Sequence, residues 1–220
     1  MNLVSSVRAR CAFVLPTEEM EALYGQFSNK ALQKILEQYR FMLHPGPTEV
    51  VANQGLTFKR GVFANEKSEF TIGEFTIYND GFVAEATITE IAESFLFNFV
   101  KWSTQELNFS PVSVPRRIYT SNIIVEFETG AIDRITKLDE IASLISKTVS
   151  STYKLELEYV PTRIGFSQDV VNLPSKSAYS EFVLERRAGL PFENNRFFSS
   201  APFPTTIHLE VLQAIEKSLL

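Results

Sequence analysis

Apolar and polar residues along the chain follow two spacings, the two-residue period of strands and the 3.6-residue period of helices. Near the N-terminus Cys11 and Phe13 lie on one face and Arg10 on the other, so the pattern predicts a strand. Residues 28–43 then carry apolar side chains at helical spacing, and the His-Pro-Gly-Pro run that follows predicts the end of a helix. The chain is therefore predicted to begin with a strand, which is followed by helical structure.

A hairpin is predicted where the dipeptide Asp80-Gly81 separates two alternating runs. Asp-Gly suits the positive φ angles of a two-residue type I′ turn. In the register that this turn sets, Ile77 faces Ala84, and the apolar residues of both strands share one side. A slip of one residue would turn the whole apolar set outward, so the two-residue turn is favoured.

The helix after this hairpin carries more aromatic residues than an ordinary surface helix uses. It is predicted to begin at residues 87–90, which match a capping box. Its apolar residues cover roughly half the circumference, whereas the usual stripe is about 100° wide or somewhat more. Phe97 lies outside that arc, at the edge of the polar side, so either a neighbouring loop covers it or it belongs to a partner surface.

The second half of the chain continues with strands and helices at the same two spacings. The predicted elements are a central strand at 117–127, a helix at 136–149, an alternating strand at 153–159, a strand at 179–187 and a helix from Thr205. The helix at 136–149 carries apolar residues on one side, namely Leu138, Ile141, Ala142, Ile145 and Val149.

The order of these elements predicts an α+β fold with a mixed, mostly antiparallel sheet. It includes two successive strand–helix–strand units, which should place the helices mainly on one face. We expect a single domain over residues 1–220, in which residues 1–47 could form an N-terminal subdomain of strand and helix and residues 56–220 the main body.

Composition narrows the class of protein. With 220 residues, of which 45% are hydrophobic and 21% charged, the chain has the make-up of a folded protein. The 19 phenylalanines predict an aromatic-rich core or interface, since each buried ring removes roughly 150–250 Å² from water. A net charge of −5, without any lysine or arginine run longer than two, gives no general attraction to nucleic acid, and we expect no such partner.

Three features of the sequence favour the cytoplasm. A single cysteine, Cys11, excludes an intrachain disulfide and fits a reducing compartment. Arg8 and Arg10 interrupt the apolar run that a signal peptide would need. No stretch approaches the roughly 18–20 apolar residues that span a bilayer, so no membrane association is expected.

Catalytic and cofactor motifs are absent from the sequence. It has no glycine-rich phosphate loop, no dinucleotide fingerprint and no His-Glu-x-x-His run. One cysteine and two well-separated histidines do not make a standard zinc site, so neither a metal nor another cofactor is expected. Cys11 lies on the apolar face of its strand, which favours a buried, inert thiol over a nucleophile. Enzymatic activity is left open but is not favoured.

The segment at 186–204 is the strongest candidate for a functional region. It is too long for a tight connection, its phenylalanines argue against disorder, and its arginines make it locally basic. Either it packs its rings over the sheet edge or it recognises a partner or ligand, because aromatic and arginine side chains are enriched at binding hot spots. The candidate contact residues are Arg186, Arg187, Asn194, Asn195, Arg196, Phe197, Phe198 and His208, together with Phe97.

Two functions from different classes are consistent with these residues. The first is a non-enzymatic protein-interaction or complex-assembly module that uses the loop at 186–204 to contact a protein partner or a second copy of the chain. The alternative is an enzyme or small-molecule binder that recognises a phosphate or carboxylate through Arg186, Arg187 and Arg196. A cleft in which Arg187, Arg196 and His208 converge would favour the alternative.

Overall fold

The structure of the chain, a computed structural model, describes residues 1–24, 29–45, 55–64, 68–128, 136–154, 156, 158–168 and 180–218. The strands in these ranges are β1 Asn2–Val14, β2 Leu56–Ala64, β3 Glu69–Tyr78, β4 Gly81–Ala86, β5 Arg116–Glu126, β6 Arg163–Phe166, β7 Phe182–Arg186 and β8 Arg196–Ala201. The helices are α1 Thr17–Tyr24, α2 Asn29–Tyr39, α3 Thr89–Glu106, α4 Thr136–Tyr153 and α5 Thr205–Ser218. None of these helices is long and apolar enough to cross a membrane.

The chain divides into two compact units. The α3 unit, named after one of its helices, holds Val7–Ser121 and Pro202–Thr205. The α4 unit holds Met1–Ser6, Asn122–Ala201 and Thr206–Leu220. Strands β1 and β5 contribute residues to both. Antiparallel strands combined with packed helices confirm the predicted α+β class, while the single domain stays a prediction.

The sheet of the α3 unit has the strand order β2-β3-β4-β1-β5. Its pairings β2–β3, β3–β4 and β4–β1 are antiparallel. Phe58 lies opposite Phe75, and Phe13 lies opposite Phe82. These four rings are buried and form one face of the sheet, as the alternating sequence requires.

Helices α1, α2 and α3 all place residues in the core on this face, and their packing accounts for the rings of α3. The ring centroids of Phe95 and Phe99 lie 5.0 and 4.6 Å from that of Phe75. Tyr39 packs edge-on to Phe95 and donates its hydroxyl proton to Asn98 Oδ1 at 2.9 Å. The aromatic surplus is thus mostly buried against the protein's own sheet, where each ring pair adds about 0.5–1.5 kcal/mol beyond its buried area.

The opposite face of this sheet carries charged residues that pair across the strands. Arg10 Nε donates to Glu85 Oε2 at 2.9 Å. Glu74 lies 3.4 Å from Arg10 and 3.4 Å from Lys59. All four side chains are partly exposed, so each pair contributes roughly 0–1 kcal/mol and the face is solvated. The helices of this unit therefore cover one side of its sheet, as predicted.

The β3–β4 hairpin has the predicted faces but not the predicted turn. Ile77 lies opposite Phe82 and not opposite Ala84. The two-residue turn is therefore at 79–80, and the prediction of a turn at 80–81 is wrong. Because the register differs by two residues, every side chain stays on its predicted side and the apolar set remains inside.

The capping box predicted at residues 87–90 does not form. Ile88 occupies the N-cap position, with extended backbone and no side-chain hydrogen bond to the helix. The backbone N–H of Thr89 donates instead to Thr205 Oγ1 at 3.1 Å. The start of α3 is thus capped by a residue distant in the sequence.

The sheet of the α4 unit has the strand order β1-β5-β8-β7-β6, in which β6–β7 and β7–β8 pair antiparallel. Val125, Leu184 and Leu212 are among its buried residues. The strand predicted at 153–159 is wrong for the residues that the structure describes, because α4 continues to Tyr153 and residues 154, 156, 158 and 159 are irregular, while residues 155 and 157 lie outside the described ranges. Lys154 turns the chain out of the helix with a left-handed φ of 55°. The second strand–helix–strand unit is therefore β5–α4–β6.

Candidate functional site

Residues 186–204, predicted to form a long loop, contain strand β8. This strand pairs with β7, and Phe197 lies directly opposite Arg186. The segment is therefore half of a hairpin whose connection occupies residues 187–195, and the prediction of a long loop is wrong. The alternation of β8 is difficult to recognise in the sequence, because its two serines are residues typical of loops.

Arg186 and Phe197 are built into the core of the α4 unit. Phe197 is 0% exposed, and its ring centroid lies 5.1 Å from that of Phe127. The Arg186 guanidinium lies 5.2 Å from the Phe197 centroid, and this arginine is only 6% exposed. A cation held over a ring away from water gains on the order of 2 kcal/mol, so the stack stabilises the hairpin. Phe197 has no surface left for a partner.

His208 forms a buried pair with Ser199, and both are 0% exposed. Ser199 Oγ donates to the Val183 carbonyl oxygen at 2.7 Å and lies 2.9 Å from His208 Nε2. Because the single hydroxyl proton goes to the carbonyl, Nε2 must carry a hydrogen and donate to Oγ. Burial lowers the pKa of His208 to about 4, which keeps the ring neutral at neutral pH. The pair is structural, since its histidine is not placed to accept the serine proton.

The remaining candidates of this hairpin are at least partly exposed, and all of them except Phe198 line one of two grooves of the α4 unit. The exposed residues are Arg187, Asn194 and Arg196, and the half-buried ones are Asn195 and Phe198. The first groove, the arginine groove, has a volume of about 410 Å³ and is lined by Thr162, Arg163 and residues 185–190. The second, the acidic groove, has a volume of about 490 Å³ and is lined by residues 126–128 and 193–196.

The two grooves separate the arginines that the sequence groups together. Arg186 and Arg187 line the arginine groove with Arg163. Arg196 lines the acidic groove and donates from Nε to Glu126 Oε2 at 2.9 Å. Since the histidine is buried, the described residues form no cleft in which it meets both Arg187 and Arg196.

Phe97 is partly accounted for by the core of the α3 unit. Its ring lies edge-on to Phe13, with 4.8 Å between the centroids, while 49% of the residue stays exposed. An edge-on pair of this kind is a favoured aromatic geometry. Half of the ring is therefore packed and half is open to water.

Cys11 is 0% exposed and lies on the buried face of β1. Burial raises the pKa of its thiol to about 12, with a further increase from Glu93 and an opposing effect of Arg117. The thiolate is the nucleophilic form, so at neutral pH this cysteine is unreactive in the folded protein.

Helix α4 exposes a row of aliphatic side chains, which includes Ile141 and Ile145 from its predicted apolar side and Leu144, which the sequence analysis did not identify. Ile141, Leu144 and Ile145 are 54%, 66% and 41% exposed, whereas Ala142 is buried. Their spacing of three and four residues places them on one side of the helix, which we call the α4 face. Only part of the apolar side of this helix is packed. The signal in the sequence is Leu144, which widens the apolar arc beyond what one packed side uses.

Arg163 is a second residue that the sequence analysis did not identify. In the β6–β7 pairing it lies opposite Glu185, and it forms ion pairs with Glu181 at 3.3 Å and with Glu185 at 3.8 Å. Strand β6 has only four residues, too few for alternation to distinguish it from a loop.

Comparison with known proteins assigns no family. No protein-family model matches this chain, and no curated protein matches it. Across the described ranges, no group of three or more His, Cys, Asp or Glu side chains could hold a metal ion. The α4 face and the arginine groove are therefore candidate sites on geometry alone.

Proposed function

We propose that this protein is a non-enzymatic, cytoplasmic interaction module that associates with a second copy of itself through the α4 face. The observation that carries this proposal is the exposed row of Ile141, Leu144 and Ile145 on a helix of 18 residues. Large aliphatic side chains gathered on one face and left in water are typical of a contact surface. The free thiol of Cys11 suits a reducing compartment.

The burial of two potential nucleophiles supports a non-enzymatic role. Cys11 and Ser199 are both 0% exposed, and the pKa of the thiol, about 12, keeps it protonated. A catalytic nucleophile must reach its substrate and have a base within hydrogen-bond distance. Neither side chain meets both conditions in the folded protein.

The absence of charge from the middle of the α4 face favours a second copy of the chain as the occupant. At about 100° per residue, Glu140 and Lys147 project roughly 90° or more from the centre of the face. Lys137 is on the same side but lies one turn before Ile141, at the N-terminal end of the face. Two chains that each carry a net charge of −5 can therefore meet there without placing like charges opposite one another.

The α4 face is also complementary to itself. Its N-terminal half carries Ile141 and Leu144, and its C-terminal half carries the smaller, exposed Thr148 and Ser151. In an antiparallel pair of these helices, the large side chains of one meet the small ones of the other. A two-fold contact requires this kind of self-complementarity.

The association is expected to be modest in strength. Fully burying a Leu or Ile side chain contributes about 1.5–3 kcal/mol, and roughly half of each side chain is open to be covered. The three residues of each chain then contribute on the order of 3–4 kcal/mol, so the two chains together contribute about 6–8 kcal/mol before the entropic cost of association, while a micromolar complex needs about 8 kcal/mol. We therefore expect a dissociation constant of roughly tens to a hundred micromolar.

Sedimentation velocity over a concentration series from a few to several hundred micromolar tests the proposal. The wild type is expected to shift from monomer to dimer as its concentration rises. Leu144→Ser is expected to remain monomeric, because it removes the side chain of the α4 face that is 66% exposed. Circular dichroism checks that the variant is folded.

Ile207→Ser provides the matched control, since Ile207 is 43% exposed on α5 and lies off the α4 face. This variant should dimerise like the wild type. A wild type that stays monomeric throughout the series would overturn the proposal. A dimer that Leu144→Ser leaves intact would place the contact elsewhere and reject the α4 face.

A further inference from the structure

We propose that the arginine groove is a binding site for a small oxyanion, a free molecule that carries a phosphate or carboxylate group. The groove lies at one end of the β6–β7 strand pair and has a volume of about 410 Å³, within the range of small-ligand sites. Arg163, Arg186 and Arg187 line it with one acidic residue, Glu185, and Glu181 pairs with Arg163 at 3.3 Å. Basic residues are thus concentrated here on a chain whose net charge is −5.

Arg186 gives the groove a cation whose position is fixed before any ligand arrives. Its guanidinium lies 5.2 Å from the Phe197 centroid, and the residue is 6% exposed. Its backbone N–H donates to the carbonyl oxygen of Thr162, the residue just before β6, at 2.8 Å, which holds the main chain of Arg186 in place. A side chain that is already ordered loses little further rotamer freedom on binding, and this preorganisation favours affinity.

Arg187 supplies an exposed cation at this site. Its backbone N–H donates to the Arg196 carbonyl oxygen at 2.9 Å, so its main chain is held in place. Within the described part of the chain, its side chain forms no ion pair, unlike Arg196, which pairs with Glu126. An incoming oxyanion can therefore form a bidentate contact with Arg187 without first displacing a carboxylate of the protein.

Arg163 completes the set on the facing strand. It forms ion pairs with Glu181 at 3.3 Å and with Glu185 at 3.8 Å, and all three side chains are 43–53% exposed. Exposed pairs of this kind contribute only about 0–1 kcal/mol each, so Arg163 can turn toward a ligand at small cost. Gly189, in the connection that borders the groove, has no atom within 4 Å of the position of a Cβ, so the mouth is open.

Titration of the full chain with inorganic phosphate and, separately, with malonate tests the site. Binding is followed by ¹⁵N chemical shifts at constant ionic strength, with sodium chloride replaced by the probe. Saturable shifts at residues 185–190 are expected at millimolar probe concentrations. Comparison of the two probes shows whether the groove prefers the phosphate or the carboxylate.

Arg187→Gln is expected to weaken binding about tenfold, because it removes a charge-assisted contact from an exposed position. Arg196→Gln removes the same charge from the acidic groove and should change the affinity less than twofold. Arg187→Lys keeps the charge but loses the fork of donors, so it should fall between the wild type and Arg187→Gln.

Two outcomes would overturn this proposal. The absence of saturable binding by either probe up to about 50 mM would mean that the groove is not an oxyanion site at useful affinity. Equal losses in Arg187→Gln and Arg196→Gln would mean that the anion responds to overall charge and not to this groove. Neither outcome depends on whether the chain dimerises through the α4 face.

Discussion

Thr89 and Thr205 cap each other, since the backbone N–H of each donates to the side-chain Oγ1 of the other at 3.1 and 2.7 Å. They are the first residues of α3 and α5, and they are 0% and 3% exposed. Thr89 Oγ1 donates its own proton to Glu90 Oε2 at 3.0 Å. Glu90 thus places negative charge near backbone N–H groups at the start of α3, which suits the helix dipole.

Thr205→Ala is expected to lower the free energy of unfolding by about 1–3 kcal/mol, because it leaves the buried Thr89 amide without its acceptor. Thr205→Ser keeps the hydroxyl and should lose less than half as much. Urea denaturation followed by circular dichroism measures both. Similar losses in the two variants would mean that packing of the threonine methyl group, not the hydrogen bond, is the stabilising contact.

The faces of the central strands could be predicted from the sequence because alternation is a local property. Phe13 and Phe75 are buried where the pattern placed them. The position of the β3–β4 turn could not be predicted in the same way, since a shift of two residues leaves the faces unchanged. The turn contacts the residue that follows β1, since the N–H of Leu15 donates to the Asp80 carbonyl oxygen at 2.9 Å.

The candidate sites were harder to predict because they depend on contacts between distant segments. The burial of Phe197 follows from its position opposite Arg186 and its contact with Phe127, which no local pattern reveals. The exposure of Leu144 depends on how much of α4 its neighbours cover. Helical spacing shows that an apolar arc is wide, but not which part of it remains in water.

Gly81→Ala tests the contact between β4 and β1. Gly81 has a φ of 149°, and a Cβ at this position would overlap the carbonyl oxygen of Phe13. Both strands would have to move apart in the centre of the sheet, so we expect a loss of about 2–3 kcal/mol in the free energy of unfolding. Thermal unfolding and urea denaturation measure this loss.

Gly73→Ala is the matched control in the neighbouring strand. A Cβ at Gly73 would lie 3.6 Å from the Glu85 carbonyl oxygen, which is an ordinary van der Waals contact. We expect its effect to stay within about 1 kcal/mol. If the two variants unfold at the same urea concentration, close backbone approach is not the reason for glycine at position 81.

The buried imidazole of His208 predicts a loss of stability in acid. Burial lowers its pKa from 6.5 to about 4, so between these values the unfolded chain holds a proton that the folded chain does not. The stabilising contribution is therefore complete above about pH 6.5 and is lost as the pH falls toward about 4. A pKa shift of this size changes the free energy of unfolding by at most about 3 kcal/mol.

His208→Gln separates this effect from the titration of carboxylates, which also destabilises proteins in acid. The glutamine amide can still donate to Ser199 Oγ but takes up no proton in this range. We expect the variant to be less stable than the wild type at pH 7 and to lose about 2–3 kcal/mol less between pH 7 and pH 4. Urea denaturation at half-unit pH intervals gives this difference. If the free energy of unfolding depends on pH in the same way in the wild type and in His208→Gln, the titration of His208 is not a cause of the loss of stability in acid.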